Sequence, residues 1–399
     1  MLRLKIILTI LITFSLLTCN KKNDLPAPAV VNQPIPLESL SVLVDTHYVG
    51  RYTPQQIISS IPVEKNIFIN AIAKFPIIVY SIEYRTKNYN DSLVIASGLI
   101  AIPENQPNLS LLSYQHGTIL QLNEITAPSH FSPNTEAYFV ALMATNGYLT
   151  CAADYIGYGS TKNLPHPYEH AKSLATTCTD MVKATQELAK VLFISTNGKT
   201  FLTGYSEGGF ATIATQKLIE EKYTQDIKLS GVTSGAGGYD NTAFAKYIVS
   251  QNKELPYLNY YVWVLQTYNQ IYKLGKPDSF YFKKEYAKVL INNPFGAVSN
   301  NPSVLFTDSL INGILNGTNT SLMNAFKDND LIDWAPKTPV LLIHGELDDF
   351  VPPFNSKNAY QGFIKNGSTA ASLKIISGAN HNTTFESYAI ETFSFISKY

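Results

Sequence analysis

The chain has 399 residues, 45% of them apolar, enough for a sizeable core in one large domain or two modest ones. Lys plus Arg and Asp plus Glu both number 30, so no basic field marks a nucleic-acid partner and no acidic tail appears. With 25 Tyr and 20 Phe, some aromatic rings are expected to line surfaces or a cleft.

At the N-terminus, Arg3 and Lys5 precede an apolar run from Ile6 to Leu17. The run is too short to span a bilayer and has the shape of a secretory signal. Leu16-Leu17-Thr18-Cys19 resembles a bacterial lipobox, with Thr where Gly, Ala or Ser is usual. That resemblance implies cleavage before Cys19, its lipidation, and a membrane-anchored lipoprotein in the periplasm or at the cell surface. The alternative is an ordinary signal peptide with an incidental Cys. Residues 20–36 then read as a polar, Pro-rich tether.

Residues 37–72 carry a mixed helical pattern. "FPIIVYSIEYRT" and "SLVIASGLIAIP" read as two strands of a hairpin about Asn88-Tyr89-Asn90-Asp91. "LSLLSYQHGT" and "YLTCAADY" are a third and a fourth strand, and residues 168–193 show helical spacing. "KTFLTGYS" is a fifth strand that runs straight into a helix pattern, and "IKLSGVTSGAG" is a sixth. After a Tyr-, Asn- and Lys-rich stretch, "KTPVLLIHGELDD" and "ASLKIISGANHN" resume the strands and a helix closes the chain. This alternation predicts an α/β fold: a mostly parallel central sheet with helices on both faces. Residues 37–238 and 337–399 form its core. Residues 239–336, too long for a plain loop, read as a helical lid inserted after the sixth strand.

Cys151 falls in a strand pattern and Cys178 in a helical one. One disulfide and two separate buried thiols both fit. No Cys or His spacing suggests a metal site, and no cofactor motif appears; the Gly-rich "DYIGYGST" lacks the phosphate-binding patterns and reads as a structural loop.

The chemistry concentrates at Gly204-Tyr205-Ser206-Glu207-Gly208, where a strand meets a helix. A serine in so tight a turn is exposed above the sheet edge, and the glycines remove side chains that would clash. Free N–H groups at the helix start suit an oxyanion. Such a serine needs a base, and the base an orienting carboxylate, in the chain order Ser, acid, His. Only His344 and His381 follow Ser206, and His344 precedes the acids, which leaves His381 on the loop before the last helix. Among Glu346, Asp348 and Asp349, the spacing H-G-x-x-D-x-x-V-P favours Asp348. The expected oxyanion donors are the backbone N–H groups of Glu207 and, in "YQHGT", Thr118; His116 is expected to be buried and to shape that loop.

In this order, "QHGT", "DYIGYGST", "GYSEGG", "HGELDDFVP" and "NHN" resemble the α/β-hydrolase fold, over roughly residues 40–399. The run "YRT…ASGLIAIP…SYQHGT…ADYIGYGSTKNLPHPYEHAKSLATTCTDM…LTGYSEGGFA" looks closer still to bacterial secreted lipase/esterases, which are similar to fungal secretory lipases. The resemblance implies a serine carboxylic-ester hydrolase that works through an acyl-enzyme on a small-molecule or lipid ester, without a cofactor. The lid carries Tyr257, Tyr260, Tyr261 and Trp263, which line an acyl tunnel, stack on sugar rings or pack its helices. Two other readings are a prolyl-oligopeptidase-like serine peptidase and a non-catalytic surface-binding lipoprotein. The first lacks room for a propeller domain before the first strand; the second is expected to have lost a catalytic residue.

Overall fold

A computed structural model describes residues 40–60, 72–133, 135–291 and 293–399. The signal segment, Cys19 and the tether lie outside the described residues.

Nine strands form one sheet: β1 (Leu43–Tyr52), β2 (Ile77–Lys87), β3 (Leu93–Pro103), β4 (Leu109–Gln115), β5 (Leu149–Ala153), β6 (Thr196–Tyr205), β7 (Lys228–Gly235), β8 (Val340–Gly345) and β9 (Ala371–Ile376). Their order is β1-β2-β3-β5-β4-β6-β7-β8-β9. From β5 to β9 every pairing is parallel, while β1, β2 and β3 pair antiparallel and β3 joins β5 antiparallel. The β2–β3 hairpin closes where expected, with the Asn88 N–H donating to the Ser92 carbonyl at 2.9 Å.

Strand β1 corrects the helical reading over residues 43–52. Only Leu43 of β1 is buried, so its sequence shows neither an apolar stripe nor clean alternation. An edge strand needs little apolar surface, and this one breaks register with β2 twice. Its entry is held by the Glu187 carboxylate, which accepts from the N–H groups of Ser41, Val42 and Leu43. Further along this stretch, α1 (Pro54–Ser59) is helical and is capped by the Thr53 side chain. Counting β1, the strand expected to be sixth is β7.

Helices cover both faces. On one lie α3 (Ala171–Val191) and α4 (Glu207–Lys222); on the other lie α1, α2 (Glu136–Thr145) and the C-terminal α13 (His381–Ile396). Helix α3 shows why the spacing was readable. Leu174, Cys178, Met181, Thr185 and Leu188 recur every three or four residues and are buried. Full burial of such a Leu contributes about 1.5–3 kcal/mol. Cys151 in β5 and Cys178 in α3 are separate, buried free thiols, and burial pushes Cys151 up to about 11.

Between β7 and β8 stand helices α5 (Asn241–Ser250), α6 (Leu258–Ile271), α7 (Asp278–Tyr281), α8 (Lys284–Ala287), α9 (Pro302–Leu305), α10 (Asp308–Leu315) and α11 (Thr320–Asp328). Helix α12 (Phe354–Lys365) follows β8. The inserted helices have an apolar core of their own around Leu258, Val262, Phe282 and Leu310. They are tied to the start of α3: Tyr268 donates to the Glu169 carbonyl at 2.7 Å, and the Ala171 N–H donates to Asn329 Oδ1 at 2.8 Å. Among the described residues, no helix is long and apolar enough to cross a membrane.

His170 caps α3 at this junction. It is 3% exposed, its Nδ1 lies 2.7 Å from Ser173 Oγ, and its ring meets Tyr272 edge-on. Burial holds its pKa down to about 4, against 6.5 in the unfolded chain. As pH falls, the unfolded state therefore takes up the proton first. The stability contribution is fully present above about pH 6.5 and is lost as pH falls towards 4, with a slope of at most about 1.4 kcal/mol for each pH step of one. Thermal melts of the wild type and His170→Gln between pH 7 and 4 check this. The wild type is expected to lose stability more steeply; parallel curves would contradict it.

Candidate active site

The site lies at the carboxyl ends of the parallel strands, where open α/β sheets leave a crevice. Ser206 joins β6 to α4 with φ 60° and ψ −125°, a conformation that strains any residue with a side chain. Its N–H donates to the Gly235 carbonyl at the end of β7, at 2.9 Å. The glycines around it have steric causes. A Cβ at Gly204 would stand 2.3 Å from the Gly208 carbonyl oxygen, and one at Gly208 would stand 2.0 Å from that of Gln115.

His381 is the first residue of α13, not a loop residue as expected from sequence. Asn380 fixes that helix start by accepting from Asn382 N and Thr383 N while its own N–H donates to Thr383 Oγ1. This reciprocal cap sets the direction in which the His381 side chain leaves the backbone. The Tyr205 hydroxyl donates to the His381 carbonyl at 2.5 Å, and the rings of Tyr205 and Phe350 flank the imidazole at 5.3 and 4.9 Å.

The structure brings Ser206, His381 and Asp348 together. Ser206 Oγ is 2.9 Å from His381 Nε2, and His381 Nδ1 is 2.7 Å from Asp348 Oδ2. Asp348 is buried, and its Oδ1 accepts from the N–H groups of Phe350 and Val351. Burial alone would raise its pKa. The hydrogen bonds from His344 and His381 outweigh burial and hold it at about 2. An ionised Asp348 only accepts, so Nδ1 of His381 carries the proton and Nε2 is left to accept from Ser206. The neighbouring acids point elsewhere. Asp349 is exposed, and Glu346 is exposed and accepts from Ser377 Oγ and Gly378 N.

Of the proposed oxyanion donors, Glu207 N opens α4 and Thr118 N sits in the loop after β4. Among the described residues neither donates to a protein acceptor. The adjacent Gly117 N–H is engaged, donating to Glu136 Oε2 at 3.0 Å, with Tyr114 donating to the same oxygen at 2.5 Å. His116 is fully buried and stacked on Tyr155 at 3.9 Å, with its ring nitrogens facing the carbonyls of Gly117 and Asp154. The "DYIGYGST" loop is a packed structural turn: Asp154 accepts from Ser97 Oγ and Ser129 N.

Sequence reasoning missed three partners. His344, set aside because it precedes the acids, places Nε2 3.3 Å from Asp348 Oδ2 and 2.7 Å from the Val351 carbonyl. The motif that selected Asp348 begins with this residue, so the signal was present. Glu136 lies between the first two motifs, outside both, and left none. His166 Nε2 meets Glu207 Oε1 at 2.6 Å with both side chains fully buried, a pair 41 residues apart in sequence.

Ser206 opens onto an apolar cavity lined from the insertion by Phe244, Tyr260, Tyr261 and Leu265, and from the core by Tyr168 and Phe350. Of the insertion tyrosines, Tyr260 and Tyr261 therefore face the cavity, while Tyr268 and Tyr281 are buried in its core. Among the described residues no group of three or more His, Cys, Asp or Glu is placed to hold a metal ion.

Comparison with known proteins bears on the fold first. A hydrolase of Legionella pneumophila is 24% identical and superposes with a TM-score of 0.76, over 90% of this chain and 98% of that one. The rice cell wall degrading esterase LipA from Xanthomonas oryzae is 22% identical with a TM-score of 0.75, over 89% and 98%. Candida antarctica lipase A in its closed state is 16% identical with a TM-score of 0.63, over 89% and 81%. These likenesses show the α/β-hydrolase fold. Lipase 4 of Candida albicans is 22% identical over 267 residues, 58% of this chain and 51% of that protein, so the chain spans about half the length of this curated relative. The secretory lipase model matches residues 125–397, from ahead of the nucleophile turn to the last helix, and on that match the chain belongs to the secretory lipase family.

Proposed function

We propose that this protein hydrolyses carboxylic esters through an acyl-enzyme on Ser206, with His381 as base and Asp348 as its orienting acid. The observation that carries the reading is the continuous hydrogen-bonded line from Ser206 Oγ through His381 to an ionised Asp348. Family membership supports ester chemistry.

Ser206 Oγ attacks the ester carbonyl carbon as its proton passes to His381 Nε2. The charge that develops on the carbonyl oxygen is stabilised by the N–H groups of Glu207 and Thr118 and by the positive end of α4. Asp348 holds the ring in the correct tautomer and stabilises the imidazolium without taking the proton. As the tetrahedral intermediate collapses, the C–O bond to the alcohol breaks and His381 protonates the leaving oxygen. Water then attacks the acyl-enzyme, giving its proton to His381, and the acid leaves as Ser206 recovers the proton.

The cavity lining suits an apolar acyl or alkyl group. Residues 239–336 are the segment that covers it and serve as its lid. The same family membership supports export, and Cys19 is the residue we propose to be lipidated, anchoring the chain to a membrane.

Turnover of a p-nitrophenyl ester series from acetate to palmitate tests the central reading. Ser206→Ala is expected to lose nearly all activity, and wild-type inactivity on every ester would overturn the reading. Asp348→Asn is expected to lower kcat about 10³–10⁴-fold with KM little changed. His344→Gln, which removes the second donor to Asp348 along with the ring's contacts to the Val351 carbonyl and Ser356 Oγ, is expected to cost about 10-fold, near the loss of one hydrogen bond to a charged group. A full loss in His344→Gln with an unaltered melting temperature would contradict the division of roles. For the anchor, cells given labelled palmitate should label the wild type and not Cys19→Ala; equal labelling would refute it.

A further inference from the structure

One polar group in the substrate cavity has no task in the mechanism above. Glu169 lines the same cavity as Ser206. Among the described residues its carboxylate has neither a hydrogen-bond donor nor a cation beside it. Three other polar side chains of that lining are occupied. Tyr261 donates to the Phe350 carbonyl, Tyr168 meets Thr118 Oγ1 at 3.1 Å, and Asn241 Nδ2 donates to the carbonyls of Gly238 and Asn329.

The backbone holds Glu169 where it is under strain. Its φ is 52°, in the left-handed region that a residue with a long side chain rarely adopts. Its carbonyl accepts from Tyr268 and its successor His170 caps α3, so both sides of the residue are fixed. Its Oε2 lies beside Gly238, where a Cβ would stand 3.6 Å away in ordinary van der Waals contact. Burial, and then the charge of Glu207, raise the Glu169 carboxyl well above its usual range. A carboxyl left unpaired in apolar surroundings carries a desolvation cost that a ligand donor would relieve.

We propose that Glu169 is a specificity-determining residue, which hydrogen-bonds a hydroxyl group on the part of the ester that enters the cavity. The substrate class is then hydroxylated aliphatic esters instead of plain ones. A hydroxyl fits better than an ammonium group. The lining is otherwise apolar, and a full charge would lose its hydration against one carboxyl. A hydroxyl asks for one hydrogen bond and leaves its carbon chain to the aromatic walls. The inference rests on the ester-hydrolase reading above.

Matched ester pairs test it. Methyl esters of ω-hydroxylated hexanoic, octanoic and decanoic acids are compared with their plain counterparts, and monoacetates of α,ω-diols with alkyl acetates. Each pair is measured with the wild type, Glu169→Gln and Glu169→Met. The wild type is expected to favour the hydroxylated member of one chain length by about 10-fold or more in kcat/KM. Glu169→Gln should keep part of that preference and Glu169→Met should lose or reverse it, with turnover of the plain esters retained. A wild-type ratio near one in every pair overturns the proposal, as does an unchanged ratio in Glu169→Met. The wild-type ratio decides even if Glu169→Met does not fold. Wild-type turnover of plain esters without preference sinks this proposal alone; no turnover of any ester sinks the hydrolase reading, and this proposal with it.

Discussion

The arrangement depends on one strained backbone position. Ser206 is held at φ 60° between a parallel strand and a helix, at a cost of about 1–3 kcal/mol for a residue with a side chain. The surrounding packing over-determines that conformation. Gly204 and Gly208 allow backbone to lie against backbone, and a Cβ at Gly209 would stand 2.3 Å from the Gly235 carbonyl oxygen. The strain sets Oγ above the sheet edge and leaves the N–H of Glu207 free beside it. His381 and Asp348 reach it only because β8 and β9 end at the same rim.

Around that turn, four carboxyl groups are set apart by their surroundings. Asp348 is buried but accepts four hydrogen bonds and stays ionised. Glu136 braces the Gly117 loop through an N–H and a phenol. Glu207 is locked to His166 in a fully buried pair. Glu169 faces the cavity, and among the described residues its carboxylate has no partner. Carboxyl chemistry is shared by all four; hydrogen-bond donors set them apart, with Asp348 joined to His381, Glu136 holding a loop and Glu169 left for the ligand we propose.

The strands that carry the site were legible because they are buried on both faces and end in turn residues. Ser206 was legible for a steric reason: its glycines have no alternative at those distances. Asp348 and His381 followed from chain order and one motif. What escaped was of two kinds. Strand β1 escaped because an edge strand buries one residue and shows no periodicity. Glu136 and His166 escaped because their partners lie 19 and 41 residues away in sequence, and Glu169 because a lone charged residue looks like a solvated one until the fold encloses it. The position of His381 at a helix start was hidden for a smaller reason, that a cap and a loop share the same Asn and Thr residues.

The most direct test of the account is covalent labelling of the intact protein with an alkyl fluorophosphonate, followed by peptide mass mapping. The account predicts one adduct, on the peptide carrying Ser206, whose formation is abolished in His381→Ala while that variant keeps its melting temperature. An adduct on another residue, none at all, or labelling of Ser206 that does not depend on His381 would contradict it.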